Sequence, residues 1–161
     1  MTKPLWAPWR LEYIQQADEG TSCVFCAEAA GELPSDESLL VHRGRHALAI
    51  LNKFPYSSGH LLASPIRHVA SLSELTDDEA AEIHRLSVSA VAALGAIYAP
   101  EGFNLGWNLG RAAGAGIADH VHLHVVPRWG GDTNFMPVLA DVKVLPEHLL
   151  ETRDKLRDAW A

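Results

Sequence analysis

Cysteine is scarce in this 161-residue chain: Cys23 and Cys26 are the only two. Two cysteines cannot staple a disulfide scaffold, so a hydrophobic core must hold the fold. At 161 residues and 48% hydrophobic, the chain can bury one such core in a single domain spanning 1–161. Positive charge is also in short supply, with 13 Lys and Arg against 20 Asp and Glu and a formal charge of -7. Proteins that coat long nucleic acid carry a basic surface, so that class falls behind, while a small anion held by local donors does not. No uninterrupted apolar run approaches the roughly 18 residues of a membrane span, and Met1-Thr2-Lys3-Pro4 does not open a secretory leader. The expectation is a cytoplasmic protein with no membrane partner. There is no internal repeat, no low-complexity tract and no linker rich in Gly, Ser or Pro.

What is present reads as short strands around two main helices. Leu39-Leu40-Val41, His46-Ala47-Leu48-Ala49-Ile50-Leu51 and His60-Leu61-Leu62-Ala63-Ser64 read as strands, the last two as an antiparallel hairpin. Thr76-Asp77-Asp78-Glu79 is a capping box, and Ile83, Leu86, Ala90, Leu94 and Ile97 follow at helical spacing until Pro100 ends the run. Phe103, Leu105, Trp107 and Leu109 alternate with Asn104, Gly106 and Asn108, the pattern of a half-buried strand. A turn rich in small residues, 110–119, leads to a strand from His120 to Val126, and Pro146-Glu147 opens a last helix carrying Leu149, Leu150 and Leu156. Strands in neighbouring hairpins favour an antiparallel α+β fold with a sheet of about five strands over a doubly wound one. Leu5-Trp6-Ala7-Pro8-Trp9-Arg10 reads as an aromatic arm.

The densest chemistry is His120-Val121-His122-Leu123-His124-Val125-Val126. Strand alternation places His120, His122 and His124 on one face and the apolar residues on the other. Three imidazoles in a row make a poor core, since each needs polar partners, and point instead to a metal site or a catalytic row. Just upstream, the bend containing Gly110, Arg111, Gly114, Ala115 and Gly116 has backbone amides suited to a phosphate oxygen. An imidazole is a competent nucleophile toward phosphorus when a neighbour fixes the tautomer that leaves one nitrogen free. Cys23 and Cys26 form a C-x-x-C, which is either a redox pair or half of a metal site; lying in a stretch that reads as irregular, it suits a zinc knuckle better.

These residues resemble the histidine triad (HIT) superfamily of nucleotide hydrolases and transferases, whose signature is His-φ-His-φ-His-φ-φ with φ apolar. Leu51-Asn52-Lys53-Phe54-Pro55, Gly59-His60-Leu61-Leu62 and Pro65-Ile66-Arg67-His68-Val69 are similar to its earlier block, in the expected order. The tail Pro127-Arg128-Trp129-Gly130-Gly131-Asp132-Thr133-Asn134-Phe135 resembles that of the bacterial diadenosine tetraphosphate (AP4A) phosphorylases in this superfamily. The likeness spans about residues 5–137, with a domain core at about 20–137 flanked by an N-terminal arm and a C-terminal helix.

The resemblance implies a HIT-like fold whose sheets pair across a homodimer. It makes His122 the nucleophile that forms a nucleotidyl-histidine, with His124 contacting the transferred phosphate. It puts Asn52 near the ribose, Asn108 beside the phosphate, and the backbone of Gly114, Ala115 and Gly116 around the developing charge. Trp129 is expected to stack on a base or touch the partner, and Arg128, helped by Asn134, to hold an acceptor phosphate. Zinc-bearing relatives imply a structural Zn2+ on Cys23, Cys26, His68 and His120. The reaction implied is AP4A plus phosphate giving ADP and ATP, with AP4A hydrolysis and nucleoside phosphoramidase activity as alternatives. A zinc-stabilised nucleotide-binding module without turnover is a third, disfavoured by the intact triad. One departure stands out: many relatives carry Ser or Gln just before the first histidine, where this chain reads Ala113-Gly114-Ala115-Gly116-Ile117, leaving the acceptor open.

Overall fold

Short alternating segments make strands that must bury at least one face, and the computed structural model, which describes residues 23–132 and 147–160, shows what each face meets. Strands β1 (Leu40–Arg43), β2 (Ala47–Leu51), β3 (Leu61–Pro65), β4 (Gly102–Trp107) and β5 (Leu123–Arg128) form one sheet in the order β1-β2-β3-β5-β4, with every neighbouring pair antiparallel. Helices α1 (Val24–Ala30), α2 (Asp77–Tyr98) and α3 (Leu149–Ala159) pack on it. Residues 5–10 and Asn134 lie outside the described residues.

Register decides which side chains share a face. His124 pairs with Leu62 of β3 and Gly106 of β4, and Leu62 pairs with Ile50 of β2, so even-numbered residues of these strands point the same way. Odd-numbered Leu51, Leu61 and Val125 pack with Ala90, Ala93 and Leu94 of α2 and Leu156 of α3, while Ala47, Ala63 and Leu123 meet Ile83 and Leu86 of α2. On the even face, Leu48, Ile50 and Leu62 pack under Phe25 of α1. Glu28 fastens α1 to the start of β1 by accepting from the Ser38 hydroxyl at 2.7 Å and the Leu39 amide at 2.6 Å. Truncating a fully buried leucine such as Leu94 or Leu156 to alanine costs roughly 2–5 kcal/mol.

The sequence expectations hold for the hairpin, α2 and the last helix, with three differences. The stretch around the cysteines is helical rather than irregular: Cys23 is the N-cap of α1 and Cys26 lies in its first turn. The last strand begins at Leu123, not His120, because the Val121 amide donates to Val69 O at 2.7 Å and so pairs with the segment beyond β3. β2 begins at Ala47, and the amides of Arg45, His46 and Ala47 all donate to the Glu82 carboxylate, which fixes the turn before it. α2 is long and apolar enough to cross a membrane by length and composition, yet Ile83, Leu86, Ala90 and Leu94 are spent on the sheet, as in a core helix.

α2 starts where its capping box stands: Thr76 Oγ1 accepts from the Glu79 amide at 3.2 Å and Glu79 Oε2 accepts from the Thr76 amide at 2.8 Å. The same carboxylate takes two bonds from Arg67, at 3.0 and 2.9 Å. Those Arg67 bonds, with the Thr76 bonds and against the pull of burial, bring its pKa from 4.5 to about 2. A carboxyl depressed on folding stabilises above its unfolded pKa and stops doing so as pH falls through the folded one. The melting-temperature gap between wild type and Glu79→Gln is therefore expected to be full above pH 4.5 and to close by about pH 2; a gap independent of pH in thermal melts contradicts this.

Candidate active site and metal centre

His120 is the residue from which the site is built. It is fully buried; its ring Nε2 donates to Pro65 O at 2.9 Å, which leaves Nδ1 unprotonated in the neutral ring. That Nδ1 lies 3.2 Å from Cys23 Sγ and 3.7 Å from Cys26 Sγ, and His68 Nδ1 lies 3.3 Å from Cys26 Sγ. One ligand atom from each of Cys23, Cys26, His68 and His120 falls within 4.8 Å of every other. Two sulfurs and two nitrogens converging in this way fit a tetrahedral zinc. The carbonyl on His120 Nε2 is the outer partner such a ligand needs, and Asp119 stands 3.8 Å from His68 Nε2. Burial, then the adjacent Cys23, push the Cys26 thiol up to about 11, so ionising this pair calls for a cation beside it. The structure thus brings together all four expected ligands.

His122 follows directly. Its Nδ1 lies 2.8 Å from the His120 carbonyl and must donate to it, so Nε2 carries the lone pair. Burial pushes its pKa down, which keeps the ring neutral and nucleophilic. Phe25 of α1 packs against both rings, with centroids 4.9 Å from His120 and 5.1 Å from His122. The third histidine is set the opposite way. The Tyr56 amide donates to His60 Nδ1 at 3.0 Å, so the proton of neutral His60 sits on Nε2. That Nε2 donates to His124 Nδ1 at 2.9 Å, which places the His124 proton on its own Nε2. The Asn108 Nδ2 position lies 3.2 Å from His124 Nε2; since two donors cannot face each other, the amide is assigned the turned orientation in which its oxygen accepts from this N–H. The His122 and His124 centroids are 5.0 Å apart, so a lone pair and an N–H donor stand side by side on one face.

The other expected residues are placed as follows. Asn52 is half-buried and braces the relay: Oδ1 accepts from the Phe54 amide at 2.9 Å and Nδ2 donates to His60 Nδ1 at 3.3 Å. The bend before the triad spends several amides on itself, with Ala113 and Ala115 donating to Gly110 O and Gly114 to Arg111 O. Gly116 completes the bend after Gly114, which has φ 87°. Arg128 lies on the even face, but its guanidinium grips Asp132 through Nε and Nη2 and Asn104 through Nη1. Trp129 is half-buried and its amide donates to Asp132 at 3.3 Å. A cleft of about 360 Å3 runs over β4 and β5 from Asn108 and His124 to Asn104, Arg128 and Asp132, with Tyr56 on its flank.

The fold and the triad geometry define a nucleotide-handling histidine triad protein, and comparison with known proteins agrees. The HIT domain profile matches residues 34–131. An AP-4-A phosphorylase of Mycobacterium tuberculosis is 41% identical over 98% of this chain and 84% of its own length. An adenosine 5'-monophosphoramidase of Schizosaccharomyces pombe is 36% identical over 66% of this chain and 74% of its own. A zinc-bound histidine triad protein of Mycobacterium smegmatis superposes with a TM-score of 0.68 at 29% identity, covering 86% of this chain and 92% of the other. The chain belongs to the HIT domain family.

His60 is the residue that sequence reading passed over. The signal in the sequence was a lone histidine between Gly59 and the apolar run Leu61-Leu62-Ala63; in the structure it is fully buried just before β3, and Gly59, with φ of +77° and no side chain, lets the loop pass Leu94, where a Cβ would come within 2.6 Å of Cδ2. His60→Gln is expected to cut kcat by roughly a hundredfold, at the low end of general acid–base effects, with KM nearly unchanged. Equal losses in kcat and thermal stability of the folded enzyme, with kcat restored by no conservative variant, point to a purely structural role.

Proposed function

We propose that the protein transfers a nucleotidyl group from a dinucleoside polyphosphate such as AP4A to phosphate, yielding ADP and ATP through a nucleotidyl-histidine on His122. The observation that carries this reading is the opposed pair of tautomers, a lone pair on His122 Nε2 beside an N–H on His124 Nε2. The His122 lone pair forms a bond to the α-phosphorus while the P–O bond to the departing ATP breaks, and His124 donates to the departing oxygen. A phosphate oxygen then attacks the same phosphorus and gives its proton back to His124, the N–P bond breaks, and both rings return to their starting state as ADP leaves. Asn108 and the bend at Gly114, Ala115 and Gly116 border the phosphate, and Asn52 and Trp129 the nucleoside. The M. tuberculosis phosphorylase supports phosphate as the acceptor. Water is the second reading, favoured by Asp132's hold on Arg128, the cation expected to receive the acceptor.

The Cys23, Cys26, His68 and His120 set is read as a closed structural zinc site. Bound there, the metal supplies no open coordination position and so no Lewis acid, only rigidity. Two copies are read as pairing along β4, an edge strand: Leu105 and Val88, 48% and 57% exposed, border an apolar cleft of about 500 Å3 between β4 and α2.

Incubating AP4A with the enzyme, with and without phosphate, separates the acceptors. ADP and ATP in proportion to phosphate are expected, with His122→Ala inactive; AMP and ATP at a rate indifferent to phosphate make the enzyme a hydrolase.

About one zinc per chain is expected to survive dialysis, and Cys23→Ser with Cys26→Ser to lower the melting temperature by several degrees. Metal analysis showing none, in a protein of undiminished stability, removes the zinc.

A further inference from the structure

The reading above accounts for the end of the β4–β5 groove at His124 and Asn108. It leaves the other end unused. β5 runs four residues from His124 to Arg128, about 13 Å at strand rise, and the groove follows it past Gly106 and Val126 to Asn104, Arg128 and Asp132. Its volume of about 360 Å3 lies within the range of small-molecule pockets and is far more than one phosphate fills.

The chemistry of the two ends differs. At the near end stand an imidazole N–H and a carboxamide, suited to phosphate oxygens. At the far end Arg128 is the sole cation among the lining residues, and Asp132 binds it through two nitrogens at 2.5 and 3.0 Å. An anion there meets a carboxylate and a cation already compensated, so the far end is a poor seat for phosphate. It remains a good seat for a neutral, hydrogen-bonding group. Arg128 has five N–H donors, three of them engaged with Asp132 and Asn104. Asn104 uses its oxygen on Arg128, which orients its amide N–H groups as donors. The Asp132 carboxylate, held in place by Arg128 and by the Trp129 amide, supplies acceptors.

We propose that this far end seats the nucleoside of the leaving group, its ribose hydroxyls on Asp132 and its base edge on Asn104 and Arg128, with the polyphosphate passing along the floor at Gly106. The proposal rests on the nucleotidyl-transfer reading, in which the leaving group departs on the His124 side. The acceptor phosphate then enters the near end after the leaving nucleotide has gone and never touches the far end. Arg128 is thereby moved from acceptor binding to leaving-group recognition.

The test measures binding to the intact protein, so that it does not depend on turnover. Asn104→Ala and Asp132→Asn are compared with wild type by titration calorimetry against AMP and against a methylene-bridged, non-cleavable AP4A analogue. Melting temperatures near wild type establish that each variant is folded, and Asp132→Asn keeps an oxygen for Arg128. The expected result is that the ratio of analogue affinity to AMP affinity falls at least fivefold in each variant. A fall of less than fivefold, a parallel loss for both ligands, or an analogue that binds wild type no better than AMP does overturns the proposal. In turnover, both variants are expected to raise KM for AP4A and leave KM for phosphate unchanged; a rise in the phosphate KM returns these residues to the acceptor and overturns it. If wild type binds both ligands but cleaves no AP4A, the transfer reading fails while the affinity ratio still decides the groove.

Discussion

Everything at the site hangs on the burial of one histidine with both ring nitrogens and its carbonyl committed. His120 has no exposed surface, and three separate pieces of the chain converge on it: the cysteines of α1 on Nδ1, the end of β3 on Nε2, and the His122 ring on its carbonyl oxygen. A buried imidazole without partners costs several kcal/mol, so each bond is effectively obligatory. The consequence is geometric. Shifting α1, the Pro65 turn or the triad segment would break a bond to His120, and the bond that sets the His122 tautomer is one of them.

The second and third histidines of the triad show how one residue type can present two opposite chemical faces. His122 and His124 are two residues apart in one segment, on one face, with rings in contact. They differ only in the kind of partner the protein sets on the inward nitrogen. For His122 it is Nδ1, through a main-chain carbonyl two residues back; for His124 it is also Nδ1, but through a side-chain N–H from His60. A carbonyl can only accept and an N–H can only donate, so the outward nitrogens emerge with opposite character. Neither ring needs to be charged, and burial, which disfavours the imidazolium in His122, works with the arrangement.

What could be read from the chain was what neighbours in sequence decide. The capping box of α2, the β2–β3 hairpin, the alternation that puts Asn108 with the histidines and the four-residue metal set were all visible from spacing or from family likeness. What escaped depends on contacts between distant segments. α1 has only seven residues and draws its stability from Phe25 under the sheet and from the bonds of Glu28, neither of which a local pattern records. The triad segment alternates like a strand from His120, but its first residues find Val69 and Pro65 rather than a ladder partner. Arg128 read as the cation nearest the triad; that Asp132 folds back on it follows from the turn at Gly131, where φ is 76°.

That last difference bears on how a double displacement can choose its acceptor. In the double displacement proposed above, leaving group and acceptor approach phosphorus from the same side, opposite His122, and so would share the near end of the groove in turn. A strong fixed cation there would hold the departing polyphosphate as firmly as it attracts the incoming phosphate, and turnover would stall on release. A near end made of neutral donors, His124 and Asn108, avoids this, and it suits the compensation of Arg128 by Asp132 farther along. On that mechanism, discrimination between phosphate and water falls on small geometric features of the near end, above all the bend from Gly110 to Gly116, where Ala113-Gly114-Ala115-Gly116 offers no side-chain donor and several amides are spent within the bend.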